Sequence, residues 1–150
     1  SFVTDFIKAH KVKDEKFLTK SFRNTTENWI TNAYGNNVKE AEGIRSILNH
    51  TLKEGNDVSI SKFIKESISD PERQESYKEL LEEKEINEDF PIDKTWVEKK
   101  LKRRSIKTNT GFDIKGLLED FEDPMKYTIT QNPDGTVDIR IKNIEFYEEK

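Results

Sequence analysis

Six cations crowd into the nine residues from Lys99 to Lys107: Lys99, Lys100, Lys102, Arg103, Arg104 and Lys107. Lys94 lies just upstream, and only Asp93 and Glu98 oppose them. Cations at this density can neutralise phosphates, releasing the counterions condensed around a nucleic acid and making binding depend on salt. A structural use competes with that one. Cations at a helix C-terminus offset its negative dipole end by a few tenths of a kcal/mol each. They can also pair with the acidic stretch from Asp70 to Asp89, where Glu72, Glu75, Glu79, Glu82, Glu83, Glu85 and Glu88 lie. The run carries no aromatic platform for stacking bases, since Trp96 reads as buried and Phe112 is the nearby ring. Sequence-specific readout of single strands is therefore not expected.

Nothing else in the chain has the form of a reactive centre. His10 and His50 are far apart and both sit in polar helical contexts, which reads as solvated surface. There is no H-E-x-x-H, G-x-G-x-x-G, P-loop or nucleophile elbow, and none of the six glycines falls in such a pattern. Carboxylates are abundant, but no spacing singles out a catalytic pair. The chain has no cysteine, which excludes disulfides, thiolate metal sites and a cysteine nucleophile. The sequence thus predicts no enzyme, no metal, no cofactor and no small-molecule substrate.

The run straddles the end of one helix and the start of a strand, so the elements on either side must position it. After Asp14 a long helix carries Leu18, Phe22, Trp29 and Ala33 on one stripe and stops near Gly35. Asn37, with Glu40 three residues on, caps a second helix whose stripe is Val38, Ala41, Ile44, Leu48 and Leu52. Ser59 opens a third, with Ile60, Phe63, Ile64 and Ile68 facing inward, and Asp70-Pro71 opens a fourth. That fourth helix has only Tyr77, Leu80 and Leu81 as apolar contacts, so it reads as a surface helix. Asp93 caps the helix that leads into the run, with Trp96, Val97 and Leu101 buried. A shorter helix is expected over Phe2 to Ala9.

From Ser105 the helical period is lost. Ile106, Phe112 and Ile114 predict one strand, bent at Asn109 to Gly111, and Gly116 to Glu122 a helical turn. Tyr127, Ile129 and Gln131 alternate on one arm, and Val137, Ile139 and Ile141 on the other, around Asn132-Pro133-Asp134-Gly135. This period-2 pattern about a turn predicts an antiparallel hairpin with Ile129, Val137, Ile139 and Ile141 facing the helices. The fold class expected is α+β: a helical portion over residues 1–101, then a small three-stranded antiparallel β-meander over 102–150. The meander should pack on the helices as one unit.

Composition frames this reading. Of 150 residues, 37% are charged and 32% hydrophobic, so a modest core must lie under a heavily ionic surface. The net charge of −4 gives no global attraction to polyanions, so any such binding must be local. No apolar run approaches a membrane span and no cationic, apolar leader is present, which predicts a cytoplasmic protein. In that setting the Asn-x-Thr triplets at Asn24 and Asn49 read as chance. A chain that begins at Ser1 and enters a helical pattern at once is expected to be a piece of a longer protein.

The second half resembles the C-terminal part of bacterial nucleoid-associated proteins of the NdpA kind. The resemblance rests on Phe90-Pro91-x-Asp93 leading into a basic helix, on Gly111-Phe112-x-Ile114, on the Asn-Pro-Asp-Gly turn, and on Ile139-Arg140-Ile141-Lys142-Asn143-Ile144. It is strongest from Glu88 to Ile144; Val58 to Ile68 resembles the short helix before this block, and Ser1 to Leu52 agrees in helical character alone. The resemblance implies association with bacterial chromosomal DNA in the nucleoid, without an enzymatic activity and without an established DNA-contact motif. Two readings follow. In one, Lys99, Lys100, Lys102, Arg103, Arg104 and Lys107 contact the backbone of double-stranded DNA without reading sequence. In the other, this portion is a protein-interaction or self-association (homo-oligomer) module, and DNA is contacted elsewhere in the full-length protein.

Overall fold

The computed structural model describes residues 14–150; the helix expected over Phe2 to Ala9, and His10, lie outside them. Helix α1 (Glu15–Ala33) starts where the Asp14 carboxylate accepts the Phe17 N–H at 2.8 Å. Its buried stripe holds Phe22, Trp29 and Ile30, with Thr19, Thr25 and Thr26 between them. Helix α2 (Val38–Glu54) begins at Asn37, whose Oδ1 accepts the Glu40 N–H, and buries Ala41, Ile44, Leu48 and Leu52. At its far end the Lys94 ammonium donates to the carbonyls of Leu52, Lys53 and Gly55 at 2.6–2.8 Å. Orphan carbonyls at a helix C-terminus are thereby satisfied by a cation, which also suits the dipole.

Helix α3 (Ile60–Ser67) follows a two-residue strand, β1 (Asp57–Val58). Ser59 precedes it but makes no capping bond; the Asp89 carboxylate takes the Ile60 N–H instead, at 3.0 Å. Helix α4 (Pro71–Glu83) is mostly exposed, as its composition predicts, yet Tyr77 is fully buried. The Tyr77 and Thr26 hydroxyls are hydrogen-bonded at 2.6 Å, tying α4 to α1. Phe22 meets Phe63 and Phe90 edge-on, and Trp29 lies against Tyr77, so the aromatic residues form the middle of the core. Strand β2 (Phe90–Pro91) pairs antiparallel with β1, Val58 opposite Phe90. Helix α5 (Lys94–Lys100), capped by Asp93, buries Val97; Leu101 is buried just after it, while Trp96 is only partly covered.

The expected three-stranded meander does not form. Strand β3 (Arg103–Lys107) pairs with β4 (Asp113–Leu117), so the single bent strand expected from Ile106 to Ile114 is a hairpin. Its turn passes through Gly111 at φ +99°, a conformation that favours glycine. Strand β5 (Tyr127–Gln131) pairs with β6 (Val137–Ile141), Ile129 opposite Ile139, in the register expected around Asn132 to Gly135. Gly135 closes that turn at φ +89°. The two hairpins stay separate because α6 (Leu118–Phe121) follows β4 directly. Its Leu118 is buried and its N–H bonds the Lys102 carbonyl at 2.9 Å, one pair beyond Arg103–Leu117, after which the helical turn carries the chain out of the first sheet before β5 begins.

One face of the second hairpin is also less covered than its alternation predicts. Tyr127 is buried and Ile129 and Ile139 are partly so, but Val137 and Ile141 are 40% and 55% exposed. Gln131 fixes this hairpin to the helices, accepting the Val38 N–H at 3.2 Å and donating to the Asn36 carbonyl at 2.7 Å. The apolar centre therefore lies among α1–α5 (Phe22, Ile44, Leu48 and Tyr77 are its interior), and the β5–β6 hairpin leans on it from outside.

Candidate functional site

The basic run spans the last turn of α5 and the whole of β3. Lys99 and Lys100 stand in the final turn of α5, exposed, where they complement its dipole. Lys102 is exposed in the turn that follows. On β3 successive side chains point to opposite faces. Arg103, Ser105 and Lys107 are accordingly exposed, while Arg104 and Ile106 turn inward. The strand thus sorts two neighbouring arginines into different environments.

Arg104 is held by Glu42 of α2 through two parallel bonds, Nη1 to Oε1 and Nη2 to Oε2, both 3.0 Å. The other side of Glu42 is occupied by Arg45, whose Nη1 donates to Oε2 at 2.6 Å. Arg45 in turn donates from Nε to Glu27 of α1 at 2.8 Å, and Arg23 lies 4.0 Å from Glu27. A charge-alternating chain, Arg23–Glu27–Arg45–Glu42–Arg104, therefore laces α1 and α2 to β3. The Arg104 guanidinium also lies 5.4 Å from the Phe121 ring centre and 6.0 Å from that of Tyr127.

Burial works against each charge in this chain, and the neighbours decide the balance. For Glu42, burial pushes the pKa up, but the Arg104 hydrogen bonds and the Arg104 and Arg45 charges outweigh it, and the net shift is down. For Arg45, burial pulls down while Glu27 and Glu42 pull up and prevail. For Arg23, burial pulls down, Glu27 opposes it and the Arg45 charge adds to it, leaving the pKa lowered. Arg23 is the under-compensated end of the chain.

The remaining cations of the run differ from Arg104. Lys99, Lys100, Lys102, Arg103 and Lys107 take part in no ion pair among the described residues, although Lys107 stands opposite Asp113 across the hairpin. Lys115, opposite Ser105, adds a cation to the same outer face as Arg103. No ion pair among the described residues joins the run to α4, so the internal partner expected from Asp70 to Asp89 is replaced, for Arg104 alone, by Glu42. Sequence spacing does pair Arg23 with Glu27 and Glu42 with Arg45 within their helices. It gives no signal that the two helices and β3 share these charges.

His50 is exposed on α2, and among the described residues no group of three or more histidine or carboxylate side chains could hold a metal ion. No helix among the described residues is long and apolar enough to cross a membrane.

Neither the curated proteins nor the solved structures contain a match to this chain. A family model described as nucleoid-associated protein YejK matches residues 1–149, which takes in the helices and the Arg104–Glu42 connection as well as the second half that carries the resemblance in sequence. Helical portion and hairpins alike thus fall within one match, and the chain belongs to the YejK family of nucleoid-associated proteins.

Proposed function

We propose that this chain binds the backbone of chromosomal DNA in the cytoplasm without reading sequence, as a non-enzymatic nucleoid component. Lys99, Lys100, Lys102, Arg103 and Lys107 make the contact, and Arg104 braces the strand that presents them. The observation that carries the reading is that these five cations are exposed and free of ion pairs among the described residues, beside a sixth that is fully engaged. Membership of a nucleoid-associated family supports DNA as the polyanion. On duplex DNA the logarithm of affinity should fall with that of salt by about 0.9 for each phosphate neutralised. Titration at two salt concentrations should give a slope that flattens when Lys102 and Arg103 become alanine, with affinity lost about equally for all sequences. Unchanged affinity and slope would overturn this assignment.

A second reading is favoured by one observation at the C-terminal hairpin and the residues after it. Val137, Ile141, Ile144, Phe146 and Tyr147 are all exposed, on and after the β5–β6 hairpin. Apolar side chains gathered this way mark interaction surfaces. In this reading the chain serves assembly and leaves DNA to another part of the full-length protein. Unchanged DNA affinity in the Lys102/Arg103 variant, combined with a sedimentation coefficient that rises with concentration, would favour it.

A further inference from the structure

Between α1, α2, β3 and the start of α6 lies a cleft of about 580 Å³. Its lining includes six cations, namely Arg23, Arg45, Lys100, Arg103, Arg104 and Lys115, against two carboxylates, Glu27 and Glu42. Both carboxylates are already engaged, Glu42 by Arg104 and Arg45 and Glu27 by Arg45. The cleft therefore keeps an excess of positive charge that its own walls do not neutralise. Two buried polar atoms in the lining also have no hydrogen-bond partner among the described residues: Arg23 Nε, a donor, and Asn49 Oδ1, an acceptor. Buried polar groups are ordinarily satisfied, and each that is not calls for an explanation. The rest of the Arg23 guanidinium is weakly held, Nη1 donating to Asn24 Oδ1 at 3.3 Å and Nη2 lying 4.0 Å from Glu27.

We infer that this cleft is a binding site for a phosphate group, with Arg23 at its floor and Lys100, Arg103 and Lys115 at its lip. Hydrogen phosphate carries acceptors for the Arg23 Nε–H and an O–H for Asn49 Oδ1, a pairing that chloride cannot supply. Charge-assisted bonds from a guanidinium to phosphate are the stronger kind, and a partly closed cleft screens them less than open surface does. Arg23 and Asn49 stand outside the basic run, so the site goes beyond the DNA-contact reading. Two sources share the acceptor oxygens that Arg23 takes: a backbone phosphate of nucleic acid, a diester with no O–H for Asn49 Oδ1, or a free phosphorylated small molecule, whose singly protonated monoester carries one.

The arginine Nε–H signals in a ¹H–¹⁵N spectrum test this directly. Inorganic phosphate should move the Arg23 signal saturably, while sodium chloride at matched ionic strength should not. Equal movement in both salts, or none in either, would overturn the site. The exposed double variant Arg103→Gln/Lys115→Gln keeps the floor intact and should weaken phosphate binding about tenfold, the worth of roughly one charge-assisted contact. Unchanged phosphate affinity in that variant would also overturn it. Movement of the same signal by duplex DNA assigns the backbone as the source. Movement by phosphate alone assigns a small molecule and leaves the site standing even if the DNA reading fails.

Discussion

Arg104 and Glu42 stand 62 residues apart in the chain and meet fork to fork, joined by two 3.0 Å hydrogen bonds. The pair is where the first hairpin is fastened to the helices, and both side chains are largely screened from solvent, at 17% and 25% exposure. Lysine cannot reproduce a fork of this geometry. Arg104→Lys should therefore lower unfolding free energy by about 1.5–3 kcal/mol, the range for charged hydrogen bonds, measured by urea denaturation. The DNA salt slope should stay as it is, because Arg104 braces rather than contacts. A variant of unaltered stability would show the pair to be dispensable.

Acid should find the same joint. The Glu42 pKa is held below its ordinary 4.5 in the fold, so its contribution is present above that value and lost as pH falls through the lower folded value. Denaturation midpoints should decline below about pH 4.5 in the wild-type protein and decline less in Glu42→Gln. Parallel curves for the two proteins would remove Glu42 from the acid response.

Alkali should find a different one. Burial raises the Tyr77 pKa well above its ordinary 10, with the Thr26 hydrogen bond pulling weakly the other way. The sign is opposite to that of Glu42: stability is complete below pH 10 and is lost as pH rises beyond it. Tyr77→Phe should cost about 1–2 kcal/mol at neutral pH, since the Thr26 hydroxyl is left unpaired in a buried site. It should also blunt the alkaline transition, followed by circular dichroism.

The β5–β6 hairpin should prove peripheral to stability. Leu48→Ala, at a fully buried site on α2, should cost about 2–5 kcal/mol. Ile139→Ala, at a half-covered site, should cost about 1 kcal/mol, since less apolar area is removed from water. Equal losses would mean that the hairpin carries as much of the core as the helices do.

What the sequence made legible was local in the chain. Asn37, Asp70 and Asp93 each accept a backbone N–H two or three residues ahead, and such caps are written within a single turn. The Asn132–Gly135 turn is equally local, and it set the register of Ile129 against Ile139. Ser59 makes no capping bond, and the partner the helix start does find is not local: Asp89, 29 residues beyond Ile60, accepts the Ile60 N–H. The expected meander fails because Ile106 and Ile114 fit a period-2 pattern that one bent strand and a hairpin both satisfy. Arg103 and Arg104 look equivalent as residues in a run. Only the strand's alternation, and a glutamate from a distant helix, separates them.

Lys94 shows how the same chemistry can be silent. All three N–H bonds of its ammonium are spent on the carbonyls of Leu52, Lys53 and Gly55. An acylating reagent must first pull that nitrogen off the end of α2, whereas Lys99, Lys100 and Lys102 offer theirs freely to solvent. A lysine-labelling map of the folded protein should therefore show a gap at Lys94 beside a block of modified neighbours. The gap should fill at the denaturant concentration where α2 loses its last turn, making Lys94 a built-in reporter of when the helical portion comes apart.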